Sequence, residues 1–217
     1  METMRQKLRA IRAPKPVPAK RAAAHTALIL IAGIALGFFS KWLDGLALDS
    51  GIGWHRLIEA LDLGNFFSEI AFWLLAALII AVQSGSALRA GLNVFAFFAG
   101  MCAAYHLYTI VFSGFDPGSY MMIWYALTLL SPLAAVCCWY AKGSGPIALV
   151  LSIGITAICF LSCFAVGYFY VDGKGVLYVL AFIGAAAVLY RDPKRLAVTL
   201  PLGILGAFLL CPFWPYK

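Results

Sequence analysis

The sequence predicts an all-α fold, a polytopic bundle of transmembrane helices with its N-terminus in the cytoplasm. The first observation is composition: of 217 residues, 64% are hydrophobic and only 12% are charged. Soluble domains carry roughly 25% charged residues. Together with a mean hydropathy of +0.93, this excludes a water-soluble fold. The second observation is a charge asymmetry, because Lys and Arg collect on alternate connections between the apolar segments.

Seven apolar segments are predicted to span the membrane, since a span needs about 20 apolar residues. They cover residues 26–42, 66–84, 91–113, 119–141, 146–169, 174–190 and 196–213. The last two are short and Pro201 interrupts the final one. A six-span alternative therefore stays open, in which residues 196–213 are re-entrant or lie at the interface. The predicted regions are a basic cytoplasmic arm, residues 1–25, and a single helical domain, residues 26–217.

Basic residues set the predicted orientation. The arm carries one acid, Glu2, against seven cations, which are Arg5, Lys7, Arg9, Arg12, Lys15, Lys20 and Arg21. A cytoplasmic arm also places five later cations inside, which are Arg89, Lys142, Arg191, Lys194 and Arg195. The outside then receives most of the acids, which are Asp44, Asp49, Glu59, Asp62, Asp116 and Asp172. We expect the arm to meet anionic lipid, and its three prolines to keep much of it non-helical.

Several functions are excluded or disfavoured. The formal charge of +7 does not indicate nucleic-acid binding, since no recognition fold accompanies it. P-loop, zinc-protease and serine-hydrolase motifs are missing, so the sequence predicts neither an enzyme nor a cofactor. Cys159 and Cys163 share a helix face, but no His or carboxylate lies near them in sequence. We interpret the cysteines as buried free thiols, with no metal site.

Two polar residues within the predicted spans are candidates for function, because charge at membrane depth is costly. Glu69 lies one turn into the second predicted span, and His106 lies about two-thirds along the third. The predicted topology brings both near the outer face, together with Lys41, Asp44, Tyr105, Tyr108 and Tyr120. This combination favours an outward-facing pocket, in which rings bury a small molecule and charges orient it.

Structural explanations of the same residues stay open. Glu69 is also explained as a carboxylate at headgroup level that reaches solvent or pairs with Lys41. His106 is also explained as a hydrogen-bonding link to a neighbouring helix. The tyrosines are also typical of the aromatic belt at a membrane interface. An amphipathic helix predicted near residues 53–63 on the outer face is either a connection resting in the headgroups or a lid over the pocket.

Small residues on the first span predict close helix packing. Gly33 and Gly37 form a GxxxG motif, which lets a second helix approach the backbone. That helix belongs either to this chain or to another membrane subunit.

Five stretches carry a resemblance to known proteins: 88–101, 119–120, 123–124, 130–132 and 139–143. They resemble an uncharacterised family of small multi-pass membrane proteins from Gram-positive bacteria, and the likeness covers roughly residues 28–200. The resemblance implies a bacterial cell membrane and brings no established activity. In architecture the chain is also similar to the S components of energy-coupling-factor transporters, which are small six-span proteins with an outward-facing pocket.

Two hypotheses of function follow. The first is a membrane protein that binds or transports a small solute through the outward-facing pocket. The second is a non-catalytic accessory or assembly subunit, which docks onto a larger membrane complex through the Gly33 and Gly37 face. The predicted partners are therefore the lipid bilayer, a small-molecule ligand, and a membrane protein partner or further copies of the chain.

Overall fold

The computed structural model describes residues 2–214, and the side chains of residues 6–214. Within that part the chain forms ten α-helices, which are α1 Glu2–Ile11, α2 Ala19–Asp44, α3 Gly53–Ala60, α4 Leu63–Ser68, α5 Ile70–Gln83, α6 Ala87–Tyr108, α7 Gly118–Ala141, α8 Gly145–Cys163, α9 Val176–Leu189 and α10 Pro193–Leu210. A π-helical turn, Thr109–Ser113, continues α6, and a 3₁₀ turn, Cys211–Phe213, continues α10. One antiparallel hairpin, β1 Phe164–Val166 and β2 Val171–Gly173, joins α8 to α9. The predicted all-α, polytopic bundle is confirmed.

The helices differ in how far they reach. Among the described residues, α2, α6 with its π turn, α7, α8 and α10 with its 3₁₀ turn are long and apolar enough to cross a membrane. The apolar helices α5 and α9 have 14 residues each. At 1.5 Å per residue they are about 21 Å long, against a hydrocarbon core of about 30 Å. The seven predicted segments all contain helices, and the number of crossings stays a prediction.

The second predicted span, residues 66–84, is divided in the structure. α4 ends at Ser68, α5 begins at Ile70, and Glu69 between them has an extended backbone with φ −88° and ψ 165°. Glu69 therefore lies at a break between two helices and not one turn inside a span. The Ser68 side chain donates a hydrogen bond to Asp44, and the Glu69 side chain accepts one from Lys174. These two bonds stabilise the chain at the break between the helices.

Residues 146–169 also differ from their prediction as one continuous span. The helix ends at Cys163, and the chain then reverses in the β1–β2 hairpin, with Phe164 opposite Gly173. Aromatic and β-branched residues in β1 favour a strand. The turn is closed by a hydrogen bond from the Gly167 amide to the carbonyl oxygen of Tyr170, at 3.0 Å.

The arm is more helical than its prolines predict. Residues 12–18, which contain Pro14, Pro16 and Pro18, are non-helical as expected, but α1 precedes them and α2 begins at Ala19, well before residue 26. The arm also packs on the bundle. The amide of Lys15 donates to the carbonyl oxygen of Gly85 at 2.7 Å.

The bundle has two ends of opposite charge, which we name by their residues. The acidic end carries Asp44, Glu69 and Asp172, and the basic end carries Arg12 and Arg195. The positive-inside rule predicts that the basic end faces the cytoplasm. Between the ends, α5, α6 and α7 enclose large buried side chains, among them Trp73, Phe97, Met121 and Trp139.

Helices α2 and α6 make the closest contact in the bundle core. A Cβ atom added at Gly33 or Gly37 would overlap the carbonyl oxygen of Phe97 or Met101 on α6. From the other side, a Cβ added at Gly100 would lie 2.7 Å from the carbonyl oxygen of Leu30. The GxxxG motif therefore packs inside the chain, as such motifs do where backbones approach closely. Docking of a partner subunit on this face does not fit the structure, because α6 covers it.

Arg12 attaches the arm to the basic end by capping two helices. Its Nη1 donates to the carbonyl oxygen of Trp139 near the end of α7 at 2.7 Å, and its Nη2 donates to that of Val82 near the end of α5 at 2.8 Å. The last carbonyls of a helix lack partners within the helix, and a cation there complements the helix dipole. The guanidinium also lies 4.4 Å from the centre of the Trp139 ring. Burial lowers the pKa of Arg12.

Lys142 and Arg195 cap further helix ends in the same way. Lys142 Nζ donates to the carbonyl oxygen of Val188 near the end of α9 at 2.6 Å. Arg195 Nη2 donates to the carbonyl oxygen of Ala141, the last residue of α7, at 2.8 Å. Burial lowers the pKa of Lys142, and the nearby charge of Arg12 lowers it further. Arg12, Lys142 and Arg195 at the basic end therefore all donate to partly buried backbone carbonyls.

Gly33→Ala tests the contact between α2 and α6. We expect a loss of about 2 kcal/mol in the free energy of unfolding, because the new methyl group overlaps the α6 backbone. Gly154→Ala on α8 is the matched control: nothing lies within 4 Å of its added Cβ, so a change within about 1 kcal/mol, in the stabilising direction, is expected. Unfolding in detergent monitored by circular dichroism measures both. Equal stability of the two variants would contradict the contact.

Arg12→Gln tests whether the arm is part of the folded bundle. The substitution leaves two half-buried helix carbonyls without their charged donor, so unfolding should become easier by about 2 kcal/mol. Arg9→Gln removes the same charge from an exposed arm residue whose side chain makes no hydrogen bond within residues 6–214. It should change stability by less than about 0.5 kcal/mol. The midpoint of thermal unfolding distinguishes the two variants.

Candidate functional site

Asp44 is the centre of the polar cluster at the acidic end. It is the last residue of α2, and both of its carboxylate oxygens accept hydrogen bonds from other elements. The hydroxyl of Tyr105 on α6 donates to Oδ2 at 2.7 Å, and the hydroxyl of Ser68 at the end of α4 donates to Oδ1 at 2.8 Å. Lys41, one turn earlier on α2, lies 3.8 Å from Oδ2. Hydrogen bonds to an ionised carboxylate are among the stronger ones, so this cluster fixes α4 and α6 against α2.

Aromatic rings surround the Asp44 cluster. Lys41 Nζ lies 5.1 Å from the centre of the Tyr105 ring and 5.8 Å from that of Phe115, within range of cation–π attraction. The Tyr105 and Tyr120 rings are 6.1 Å apart between centres. Six of the seven sequence-predicted residues are at the acidic end of α2, α6 and α7. Four of them are brought together here, which are Lys41, Asp44, Tyr105 and Tyr120.

A small void lies beneath this cluster. Its volume is about 10 Å³, and its lining residues are Ser40, Phe67, Ser68, Trp73, Met101, Tyr105, Tyr120, Met121 and Trp124. That is room for about one water molecule. Ser40 is buried on α2 and donates to the carbonyl oxygen of Phe67 at 3.4 Å. The space is therefore too small for a solute in the described structure.

Glu69 belongs to a second cluster, on the other side of the helix break. Its Oε2 lies 2.6 Å from Nζ of Lys174, which follows the hairpin. Lys174 also lies 5.8 Å from the centre of the Tyr178 ring on α9. The partner of Glu69 is thus Lys174, and not Lys41, which lies next to Asp44. The pair ties the start of α5 to the start of α9, the two short helices.

His106 belongs to a third cluster. Its Nδ1 contacts the hydroxyl of Tyr125 on α7, and its Nε2 lies 3.3 Å from Asp116 in the connection between α6 and α7. The structure does not bring His106 and Glu69 together, so they do not anchor one pocket. Tyr108, two residues later, packs on rings of α2 and the π turn, with its ring centre 5.8 Å from that of Phe38.

Helix α3 covers the first eight residues of the predicted 53–63 helix. Trp54 stacks on Trp42 at the end of α2, with ring centres 6.2 Å apart. His55 is buried, and its Nδ1 accepts the backbone amide of Asp49 at 2.8 Å. The helix therefore packs beside the acidic end of α2, while Leu57 remains 58% exposed.

Sequence reasoning missed the residues that complete these clusters. Ser68 and Lys174 give no sequence signal as partners, because Ser68 is a common polar residue and Lys174 stands 105 positions from Glu69. Asp116 lies only ten residues after His106, so its position near that side chain was within reach of sequence reasoning. Comparisons with protein-family models, with curated proteins and with solved structures found no match.

Tyr105→Phe tests the bond that closes the Asp44 cluster. Loss of the hydroxyl leaves the Asp44 carboxylate with one donor fewer, so the free energy of unfolding should fall by about 1 kcal/mol. Tyr108→Phe is the matched control from the same helix, since its hydroxyl makes no hydrogen bond within the described residues. It should change stability by less than about 0.5 kcal/mol. Detergent unfolding curves that coincide for the two variants would exclude a structural role of the bond.

Proposed function

We propose that the protein is an integral membrane protein that binds a small polar solute at its acidic end, and that the described structure is the closed form of that site. The observation that carries the proposal is the broken segment α4–α5, whose two junction residues, Ser68 and Glu69, are bonded to different elements. Interrupted helices with polar side chains at the break are typical of solute sites in membrane transporters.

The chemistry of the cluster defines the class of solute. Asp44 accepts two hydroxyl donors in the closed form, so a solute with an N–H or ammonium group can replace them. Lys41 adjoins the same carboxylate and can pair with an anionic group of the solute. Rings of Tyr105 and Tyr120 offer apolar contact. A small zwitterion or polar solute with an apolar portion fits this combination best.

The short helices support a site below the membrane surface. α5 and α9 are each about 9 Å shorter than the hydrocarbon core is thick, and both begin at the acidic end. The positive-inside rule predicts that this end faces outward, which makes uptake from outside the cell the proposed direction. We also propose a similarity in architecture to the S components of energy-coupling-factor transporters, which fits uptake through an outward-facing pocket.

The accessory-subunit hypothesis loses its docking surface. It relied on Gly33 and Gly37, which α6 covers within the chain. A role as a subunit therefore needs another surface, and no feature of the described residues favours one.

Gentle detergent extraction from the native host, followed by mass spectrometry of co-purifying small molecules and proteins, tests the proposal. We expect wild-type protein to retain a small solute, and Asp44→Asn to retain about tenfold less, because the carboxylate charge is lost. Asp172→Asn, an exposed acid of the hairpin, is the matched control and should retain as much as wild type. Co-purification of an ATPase would support the S-component analogy. Equal retention by the two variants would refute a site at Asp44.

A further inference from the structure

A cavity of about 390 Å³ opens at the basic end, between the arm and the turn that joins α5 to α6. Its polar lining includes Lys15, Arg21, His25, Gln83, Arg89 and Asn93. This volume falls within the range of small-molecule sites, about 300–1,000 Å³. The cavity is independent of the Asp44 cluster, which lies at the opposite end of α2 and α6.

The cations of this cavity have no acidic partner among residues 6–214. None of its lining residues, all within the described part of the chain, is Asp or Glu. The side chains of Lys15 and Arg21 make no hydrogen bond or ion pair with residues 6–214. Arg89 makes only long contacts, from Nη1 to the Ala22 carbonyl oxygen at 3.5 Å and to Thr26 Oγ1 at 3.4 Å. By contrast, the guanidinium of Arg12, which lies near this region, donates to the helix-end carbonyls of Trp139 and Val82.

The walls of the cavity are held in place by buried polar contacts. Asn93 is 3% exposed, donates to Ser84 Oγ at 3.0 Å and accepts from Thr26 Oγ1 at 2.6 Å. On the arm side, the hydrogen bond from the Lys15 amide to Gly85 fixes the segment that carries the cations. Binding would therefore require little rearrangement of the backbone, which favours affinity.

We infer that this cavity binds the phosphate group of an anionic ligand, and that the ligand is a phospholipid of the adjoining leaflet. Arg and Lys side chains that line one cavity without a carboxylate suit phosphate oxygens. The lipid source is favoured by apolar surface beside Arg89: Leu88 is 74% exposed and Leu92 is 48% exposed on the same stretch of α6. Acyl chains can lie along these leucines while the headgroup enters the cavity.

The test is native mass spectrometry of the full chain in a non-ionic detergent, titrated with phosphatidylglycerol. We expect one retained lipid, and binding weakened at least about tenfold in the triple variant K15Q/R21Q/R89Q. The matched control K7Q/K20Q/K194Q removes the same charge from exposed residues outside the cavity and should weaken binding by less than about threefold. The double variant K15Q/R21Q spares the Arg89 contacts, and so keeps the test valid if the triple variant unfolds.

Two further probes identify the source of the phosphate. Phosphatidylcholine, whose headgroup adds a cation, should bind more weakly than phosphatidylglycerol. Binding of glycerol 3-phosphate with the same dependence on K15Q/R21Q/R89Q would support the phosphate site and assign it to a soluble ester instead of a lipid. An equal effect of the two triple variants on every probe would overturn the site, since only diffuse surface charge would then be acting.

Discussion

The close backbone contact between α2 and α6 is the constraint on which the rest of the structure depends. Glycines at 33, 37 and 100 allow this contact, because a Cβ at any of them would meet the opposite backbone. Once the two helices are fixed side by side, both of their ends become defined. Asp44 then faces Tyr105 at the acidic end, and Thr26 faces Asn93 at the basic end. The two candidate sites thus share one packing interface.

The basic end shows that one kind of residue serves two physical purposes. Arg12, Lys142 and Arg195 donate to partly buried carbonyls at helix ends, where the helix itself supplies few donors. Within residues 6–214, the side chains of Lys15 and Arg21 donate to no such carbonyl, and the open cavity that they line has no acidic residue. Burial and geometry, and not charge alone, therefore separate structural cations from those available to a ligand.

At the acidic end, the charged residues Glu69 and Lys174 lie where the two short helices α5 and α9 begin. Both helices are shorter than a hydrocarbon core is thick, and α4 and the β1–β2 hairpin precede them at this end. Ion pairing between Glu69 and Lys174 ties these two extensions together. Ser68 at the same break bonds to Asp44, which links the extensions to α2. A solute that binds at Asp44 would therefore change contacts that join α2 to α4, and through α4 to α5 and α9.

The sequence by itself determined the fold class, because the length and hydropathy of each segment decide whether it can cross a bilayer as a helix. It also placed Lys41, Asp44, Tyr105 and Tyr120 at one end, since a residue's depth follows from its position along a helix. Only the tertiary structure decided which of these side chains meet, because their contacts depend on how each helix is rotated about its axis and on which helices pack beside it. Hence Glu69 pairs with Lys174, 105 positions away, and His106 lies against another helix face with Tyr125.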